Sequence, residues 1–327
     1  MTSSIRNFGV AFPSLRLPIS ALASAWGGGA GRGIKRKPFC AFDEDPISLG
    51  IAAARSALGG ASASDVRALF VGSTTLPYEE KPASATVVTA ALGHANVRTV
   101  EIRGSCQAGL QALVLAKEYC STHPGALALA IATDAPYAQP ATQLEPYLSA
   151  AAAAFLIGPG PGLASIDSDS AVTIETFGSR FRRIGERNIR DLELRSSDQA
   201  KAVQALQKQF KPASIRHLAV GCGADLRKVI ERQFGGVLGE LWSSLGDAGA
   251  AASPVALAHA LELATAGEII LGLAVDAGAT ALTLTRTESS LPTRASVMTQ
   301  LEGGTDVDYL TYLKHRRLIG NPEMATE

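Results

Sequence analysis

Cys106 is the residue whose type and surroundings most clearly suggest chemistry. It follows an alternating strand pattern and the pair Gly104-Ser105, and it precedes a long apolar-periodic helix, all within residues 97–119. Backbone N–H groups and the dipole at the first turn of a helix stabilise a thiolate, which is the nucleophilic form of cysteine. The pattern therefore predicts covalent catalysis at Cys106. The alternative is a small apolar side chain packed under the turn, which is how most free cysteines behave, and the motif alone leaves both open.

Asp247 and Cys222 lie in two further turns that lead into predicted helices. Asp247 belongs to the loop LGDAGAAASPVALAHALEL, where a carboxylate can cap the Ala-rich helix or accept a proton from a hydroxyl or an amine. Cys222 follows a strand in HLAVGCGADLRKVIERQF. A thiol cannot act as a base at neutral pH unless its pKa falls well below about 8.5, although it can donate a weak hydrogen bond.

Composition restricts the expected partners and location. Lys plus Arg equal Asp plus Glu at 30 each, so neither nucleic acid nor an anionic membrane surface is expected as a partner. The sequence has no apolar run of membrane-spanning length and no signal-peptide core at its N-terminus. Cys40, Cys106, Cys120 and Cys222 are too widely spaced for a disulfide framework or a zinc ribbon. We therefore expect a cytoplasmic protein without a bound metal.

The order of the predicted elements repeats along the chain. A strand, the Cys106 turn and a helix are followed by the strands LALAIATDA and AAAAAFLIGPG. A strand, the Cys222 turn and a helix are followed by IILGLAVDA and GATALTLTRT. This order predicts an α/β chain of two similar halves, residues 1–160 with the nucleophilic cysteine and residues 161–327, joined near Gly158 to Gly162. Strands that are almost wholly apolar indicate sheets covered by helices on both faces.

In this order the pieces resemble the thiolase superfamily, and within it the branch of β-ketoacyl-acyl-carrier-protein synthase III and 3-hydroxy-3-methylglutaryl-CoA synthase. The likeness covers nearly the whole chain and is carried by FGVAFPSLRLPISALASAWG, VGSTTLPYEEKPASATVVTAALG, GSCQAGLQAL, AAAAAFLIG, LGDAGAAASPVALAHAL and DYLTYLKHRRLIG. It implies a thiolase-like five-layered α/β/α/β/α fold of two pseudo-repeated halves. It also implies a homodimer and a tunnel that admits the pantetheine arm of CoA or of an acyl carrier protein.

The chain departs from this family at its catalytic positions. Where family members have His-Gln-Ala-Asn or His-Gln-Pro-Asn, this chain has Cys-Gly-Ala-Asp from Cys222 to Asp225, and Asp247 stands in place of the family asparagine. The resemblance thus implies that a Cys-His-Asn set has become Cys106, Cys222 and Asp247. The general-acid glutamate of the hydroxymethylglutaryl-CoA synthase matches Thr74. The resemblance also implies oxyanion donors at the amides of Cys106 and of the Gly278 region.

These departures favour acyl transfer without decarboxylation. Decarboxylative condensation needs neutral donors around the thioester carbonyl of a malonyl group to hold the enolate, and an ionised Asp247 would repel it. A carboxylate is suited instead to accept a proton from the acceptor. We expect an acyltransferase that loads Cys106 from CoA or an acyl carrier protein and passes the acyl group to an oxygen, nitrogen or activated carbon nucleophile in a biosynthetic, secondary-metabolite pathway. A carbon–carbon-forming β-ketoacyl synthase and a non-catalytic subunit of a thiolase-like complex are the alternatives.

Two further segments suggest binding surfaces. Trp26, Arg32, Lys35 and Arg36 lie in one Gly-rich region, which relatives use for the adenine and phosphates of CoA, and a solvated basic loop is the alternative. The tail over residues 308–319 is amphipathic. In relatives a similar tail sometimes accompanies a small zinc-ribbon/OB-fold partner, so docking of such a partner and self-packing both remain open. Apart from CoA or carrier-bound phosphopantetheine as substrate, no cofactor is expected.

Overall fold

Strands and helices alternate along most of the chain, as the sequence predicts. The computed structural model describes residues 3–28, 31–61, 63–175, 180–192, 197–222 and 224–319. The strands are β1 (Ser3–Ala11), β2 (Leu15–Pro18), β3 (Arg36–Phe39), β4 (Val66–Gly72), β5 (Arg98–Ile102), β6 (Leu127–Asp134), β7 (Ala151–Pro159), β8 (Ala164–Val172), β9 (Ile215–Val220), β10 (Val237–Leu238), β11 (Ile269–Asp276), β12 (Gly278–Arg286) and β13 (Thr305–Asp306). The helices are α1 (Ile19–Trp26), α2 (Pro46–Leu58), α3 (Ala83–Val87), α4 (Ala108–Thr122), α5 (Ser197–Gln209), α6 (Ala224–Phe234), α7 (Trp242–Leu245), α8 (Ala252–Leu263), α9 (Val297–Glu302) and α10 (Tyr309–His315).

In the described part of the chain, ten strands form one mixed sheet that divides into two series of five. The order is β5-β4-β6-β7-β1 in the first series and β8-β12-β11-β9-β10 in the second. In each series the three outermost strands are parallel, and the other two are antiparallel to their neighbours. The series are joined where Ser4 and Ile5 pair with Ser165 and Ala164. The two halves therefore repeat one topology.

Helices separate and cover the two series. α4 and α8 pack between them, α2 covers the outer face of the first, and α5 with α6 covers the outer face of the second. Along β4, Ala68 and Phe70 lie in the central core with α4 and α8, whereas Leu69 and Val71 lie in the outer core with α2. Burial on both faces explains why these strands are almost wholly apolar. The result is the five-layered α/β/α/β/α arrangement of two pseudo-repeated halves.

The structure corrects one part of the predicted repeat. The sequence pattern pairs the strand before Cys222 with the strand before Cys106, but β9 takes the place of β4, and β5 corresponds to β10. Because β10 has only the two residues Val237–Leu238, it leaves no recognisable strand pattern. The turn that corresponds to Cys106 is therefore the one that contains Asp247. The division at residues 160 and 161 stays a prediction, and it falls in the turn between β7 and β8.

Two glycines support the corrected pairing. A Cβ on Gly72, at the end of β4, would lie 2.1 Å from the carbonyl oxygen of Ala108, the first residue of α4. A Cβ on Gly221, just after β9, would lie 2.2 Å from the Cβ of Ala252, the first residue of α8. Only glycine permits these approaches. Each half thus brings the same strand end against the start of its central helix.

The last elements of the chain pack on the first half. β13 pairs with β2, which pairs with β3. α10 places Tyr309 and Tyr312 in a cluster with Leu17 and Phe39. The amphipathic tail therefore packs against its own chain over α10, while Leu310 stays exposed.

Within the described ranges, none of the helices is both long and apolar enough to cross a bilayer. The same residues bring no group of three His, Cys, Asp or Glu side chains together in a way that would hold a metal ion.

Candidate active site

Cys106 lies on the wall of a cavity of about 790 Å³. The lining comes from the loop before α2, the turn after β4, the turn before α4 and residues 180–189, a segment that follows β8. Thr74, Cys106, Arg180 and Asp276 are among the lining residues. The cavity is large enough for the end of an acyl-pantetheine chain.

The turn around Cys106 is closed by hydrogen bonds to a carboxylate of the other half. The N–H of Ala108 donates to the carbonyl of Ser105 at 3.0 Å, and α4 begins at Ala108, so Cys106 precedes the helix rather than standing in its first turn. The N–H of Cys106 donates to Asp276 Oδ2 at 2.9 Å, and the Ser105 hydroxyl donates to the same oxygen at 3.3 Å. The Cys106 amide, an expected oxyanion donor, thus has Asp276 as its partner.

The surroundings of Cys106 favour the neutral thiol. Burial raises the pKa of the Cys106 thiol well above its ordinary value, Arg180 opposes this shift, and Asp276, Asp247 and Asp134 add to it. A buried thiol beside carboxylates ionises reluctantly because both effects disfavour the thiolate. Attack by this thiol therefore depends on groups that remove its proton or stabilise the product of the attack.

Asp247 forms an ion pair with Arg180. Its Oδ2 accepts from Arg180 Nη1 at 2.5 Å, and its Oδ1 accepts from the N–H of Gly249 at 2.8 Å. This second bond holds the first residue of the short 3₁₀ turn Gly249–Ala251, whose N-cap is Ala248, whereas α8 begins only at Ala252. The Asp247 side chain is 30% exposed, and that of Arg180 is 13% exposed. The carboxylate thus orients Arg180 and holds this turn at the same time.

Arg180 is a site residue that the sequence did not reveal. Burial alone would lower the pKa of its guanidinium, but the Asp247 carboxylate beside it raises that pKa above the ordinary value. The segment that carries it is fixed by paired backbone bonds between Phe181 and Arg190 at 2.9 Å and by a bond from the Ile189 N–H to Tyr137 at 2.7 Å. Its partner Asp247 lies 67 residues away in the chain, and no local motif marks that pairing.

Thr74 belongs to the hydrogen-bond shell of Asp134. Its hydroxyl donates to Asp134 Oδ2 at 2.8 Å, and its N–H donates to Asp134 Oδ1 at 2.8 Å. The Thr74 carbonyl accepts from Arg182 Nη2 at 3.1 Å. The Thr74 side chain therefore holds the turn after β4 in position on the cavity wall.

Cys222 lies beside the site but is not among the residues that line the cavity. It packs against the outer core of the second half, and burial raises the pKa of its thiol to about 12, with Arg227 opposing and Asp247 adding to the shift. Asp247 thus acts electrostatically on both thiols. Asp225 lies in the first turn of α6, and its side chain is outside the described residues. Gly278 begins β12 and pairs with Asp276 across the hairpin.

The predicted CoA residues lie outside the lining of the Cys106 cavity. Trp26 is 51% exposed, and its Nε1 donates to the Tyr309 hydroxyl at 2.9 Å. Arg36 contacts Asp306 at 3.4 Å, and Arg32 and Lys35 are exposed. None of these four is among the lining residues of the Cys106 cavity. Their role in binding CoA stays a prediction.

The chain is similar to curated hydroxymethylglutaryl-CoA synthases over nearly its whole length. It is 27% identical over 354 aligned residues to the enzyme of Archaeoglobus fulgidus, covering 96% of this chain and 98% of the relative. It is 24% identical to that of Methanosphaera stadtmanae, covering 97% and 99%. A shorter match to the enzyme of Pyrococcus horikoshii is 34% identical and covers 47% of this chain and 44% of the relative. No protein-family model matches the chain.

Solved structures confirm the thiolase-like fold. An HMG-CoA synthase complexed with CoA superposes with a TM-score of 0.78 at 15% identity, covering 96% of this chain and 90% of the other. The HMG synthase of the curacin biosynthetic pathway, in complex with an acetyl donor carrier protein, gives 0.79 at 17% identity, covering 96% and 88%. The 3-oxoacyl-(acyl carrier protein) synthase III of Pseudomonas aeruginosa gives 0.77 at 16% identity, covering 89% and 100%.

Proposed function

We propose that this chain is an acyltransferase that carries the acyl group as a thioester on Cys106. The observation that carries the proposal is the position of Cys106, which lies on a cavity wall directly before α4 with its turn held by Asp276. A cysteine nucleophile splits acyl transfer into loading and release, two steps that are each easier than direct transfer. Similarity to hydroxymethylglutaryl-CoA synthases supports acyl chemistry at this position.

The proposed donor is an acyl-CoA or an acyl carrier protein. Similar proteins have been solved with CoA, with 3-hydroxy-3-methylglutaryl-CoA and with an acetyl donor carrier protein. In each of these donors the acyl group sits at the end of a pantetheine arm. We propose Trp26, Arg32, Lys35 and Arg36 as an outer contact for CoA, and Thr74, Asp225 and Gly278 as contacts nearer the thioester.

The proposed acceptor is an oxygen, nitrogen or activated carbon nucleophile, with Asp247 as base or orienter and with Cys222 beside it. We propose that Thr74 takes the place of the family acid. Its hydroxyl, which donates to Asp134 Oδ2, supplies no carboxyl group there. The second candidate is carbon–carbon condensation, which the names of the relatives favour. Release of carbon dioxide from malonyl-CoA would favour a condensing β-ketoacyl synthase over transfer without decarboxylation.

The proposed assembly is a cytoplasmic homodimer that serves a biosynthetic, secondary-metabolite pathway. β5 ends the described sheet, and its first residues, Arg98 and Thr99, are exposed. An exposed edge strand is a ready site for pairing with a second copy. A small zinc-ribbon/OB-fold protein docked on the exposed side of α10 remains a proposed further partner.

Intact-mass spectrometry tests the proposal. The wild type is incubated with a panel of acyl-CoAs and acyl carrier proteins, beside Cys106→Ala and the control Cys120→Ala. Cys120 is a buried cysteine of α4, the helix that Cys106 precedes, with its Sγ 3.5 Å from the carbonyl of Ile157. We expect the wild type and Cys120→Ala to gain the acyl mass and Cys106→Ala to gain none. Acylation of Cys106→Ala, or a wild type that gains no mass with any donor, would contradict the proposal. The second result would favour a non-catalytic subunit.

A further inference from the structure

We propose that the Arg180 guanidinium donates the hydrogen bond that holds the acyl carbonyl oxygen at Cys106 and stabilises the negative charge that forms on it. This inference rests on the proposed acyl transfer and adds the group that stabilises its transition state. In loading, a bond forms between Cys106 Sγ and the carbonyl carbon while the carbonyl π pair moves to oxygen. The tetrahedral intermediate then collapses and expels the donor thiolate. The proton lost by Cys106 ends on the departing thiol, and Arg180 stays protonated throughout.

The backbone donor nearest the nucleophile already has a partner. Oxyanion holes are commonly built from backbone N–H groups aimed at the developing charge. Here the N–H of Cys106 donates to Asp276 Oδ2 at 2.9 Å. A carbonyl oxygen at Cys106 therefore needs a donor from elsewhere.

Arg180 supplies such a donor. Its Nη1 is fixed by Asp247, which is fixed in turn by the Gly249 N–H. Its Nη2 is buried without a hydrogen-bond partner, and of the described residues that line the cavity, Arg180 alone has a buried side-chain nitrogen or oxygen in that state. A buried donor without a partner is unfavourable, and an incoming acceptor relieves this cost. The ion pair thus leaves one arm of the fork free beside the cavity.

The charges around Cys106 show why this donor has to be a cation. Asp276, Asp247 and Asp134 raise the pKa of the Cys106 thiol, and Arg180 opposes them. The same carboxylates would repel a negative charge on the carbonyl oxygen, and the guanidinium offsets that repulsion at low dielectric.

Two reactions of Cys106 distinguish stabilisation of an oxyanion by Arg180 from an effect of Arg180 on the ionisation of the thiol. Iodoacetamide alkylates Cys106 without forming an oxyanion, whereas p-nitrophenyl acetate acylates it through one. The ratio of the two rates cancels the thiolate fraction and isolates stabilisation of the oxyanion. We compare the wild type, Arg180→Gln, Arg180→Lys and Arg190→Gln. Arg190 is the matched control because it lies on the same segment, pairs with Glu186 at 2.6 Å and does not line the cavity.

We expect Arg180→Gln to lower the acylation-to-alkylation ratio by about 10²–10³-fold, as loss of one oxyanion donor does. Arg180→Lys, which keeps the charge without the fork, should fall between it and the wild type, and Arg190→Gln should match the wild type. Equal loss of both rates in Arg180→Gln, no loss of either, or no Cys106-dependent acylation of the wild type by p-nitrophenyl acetate would overturn the inference. p-Nitrophenyl acetate acylates Cys106 without a natural donor. The role of Arg180 can therefore be tested even if no acyl-CoA or acyl carrier protein loads the wild type, a result that would contradict only the proposed function.

Discussion

Asp134 and Asp276 end corresponding strands, β6 and β11, and each accepts a hydrogen bond from the start of the other half's central helix. Asp134 Oδ2 accepts from the N–H of Ala250 at 2.7 Å, and Asp276 Oδ2 accepts from that of Cys106 at 2.9 Å. Both donors stand two residues before the first residue of their helix. The two halves thus hold each other's helices through equivalent carboxylates.

The surroundings of the two carboxylates differ. Within the described residues, Asp134 accepts five hydrogen bonds, from the Ser73 hydroxyl, the N–H and hydroxyl of Thr74, the Thr75 hydroxyl and the Ala250 N–H. In the same residues Asp276 accepts two, from Cys106 and Ser105, and it lines the cavity. A carboxylate with a full shell is fixed, whereas one with unused lone pairs can change partners when a substrate arrives. The nucleophile stands in the half whose carboxylate is less constrained, and the equivalent position of the other half is Ala250.

Asp247, in the turn that corresponds to the Cys106 turn, gives the largest expected effect on activity. Asp247→Asn keeps an acceptor for Gly249 but loses the ion pair with Arg180. If the carboxylate accepts the acceptor's proton, release of the acyl group should slow by about 10²–10⁴-fold, and loading should change much less. Single-turnover mass spectrometry measures loading, and product formation measures release.

Asp308→Asn is the matched control for capping. Asp308 accepts from the N–H of Thr311 at 2.8 Å at the start of α10, remote in the chain from the cavity turns. Asn caps as well as Asp, so this variant should release the acyl group at the wild-type rate. If Asp247→Asn also released the acyl group at the wild-type rate, Asp247 would only hold its turn and would not act as a base.

The two equivalent carboxylates should differ in their effect on stability. Asp134→Asn places an amide among five donors, and we expect it to lower the free energy of unfolding by about 2–4 kcal/mol. Asp276→Asn keeps an amide oxygen that can accept from both donors, because both bonds go to Oδ2, and it should cost at most about 1 kcal/mol. Urea denaturation of both variants measures the difference. Equal losses in the free energy of unfolding would mean that the two carboxylates stabilise the fold to the same extent.

Asp134 and Asp276 should also differ, by a smaller factor, in their effect on the reactivity of the Cys106 thiol. Asp276 raises the pKa of Cys106 more than Asp134 does. Removing the Asp276 charge should therefore lower that pKa and raise the thiolate fraction at any pH below it. At pH 8 we expect Asp276→Asn to speed alkylation of Cys106 by iodoacetamide about three- to tenfold, because the thiolate fraction rises as the pKa falls. A greater acceleration of alkylation in Asp134→Asn would mean that Asp134, and not Asp276, raises the pKa of Cys106 more.

Element order predicted an α/β chain of two similar halves, because strands buried on both faces and the helices between them leave strong local patterns. The five-layered arrangement was implied by the resemblance to the thiolase superfamily. The local patterns also drew attention to Cys106 and Asp247. The offset of the repeat was not predictable, since β10 is only two residues long. Arg180 and Asp276 were missed for a different reason. Each acts on a group 67 or 170 residues away, and such pairings arise only when the two halves pack.

The packing of the last elements on the first half has a consequence for biosynthesis on the ribosome. β2 leaves the ribosome nearly three hundred residues before its parallel partner β13, because Leu15 pairs with Thr305. Until α10 has been synthesised, Tyr309 and Tyr312 cannot pack against Leu17 and Phe39, so these two early apolar side chains lack their packing partners. Closure over so long a loop slows folding and exposes apolar surface in the interval. We expect nascent chains arrested before residue 300 to be bound by chaperones and cleaved by protease near β2, and full-length chains to resist both.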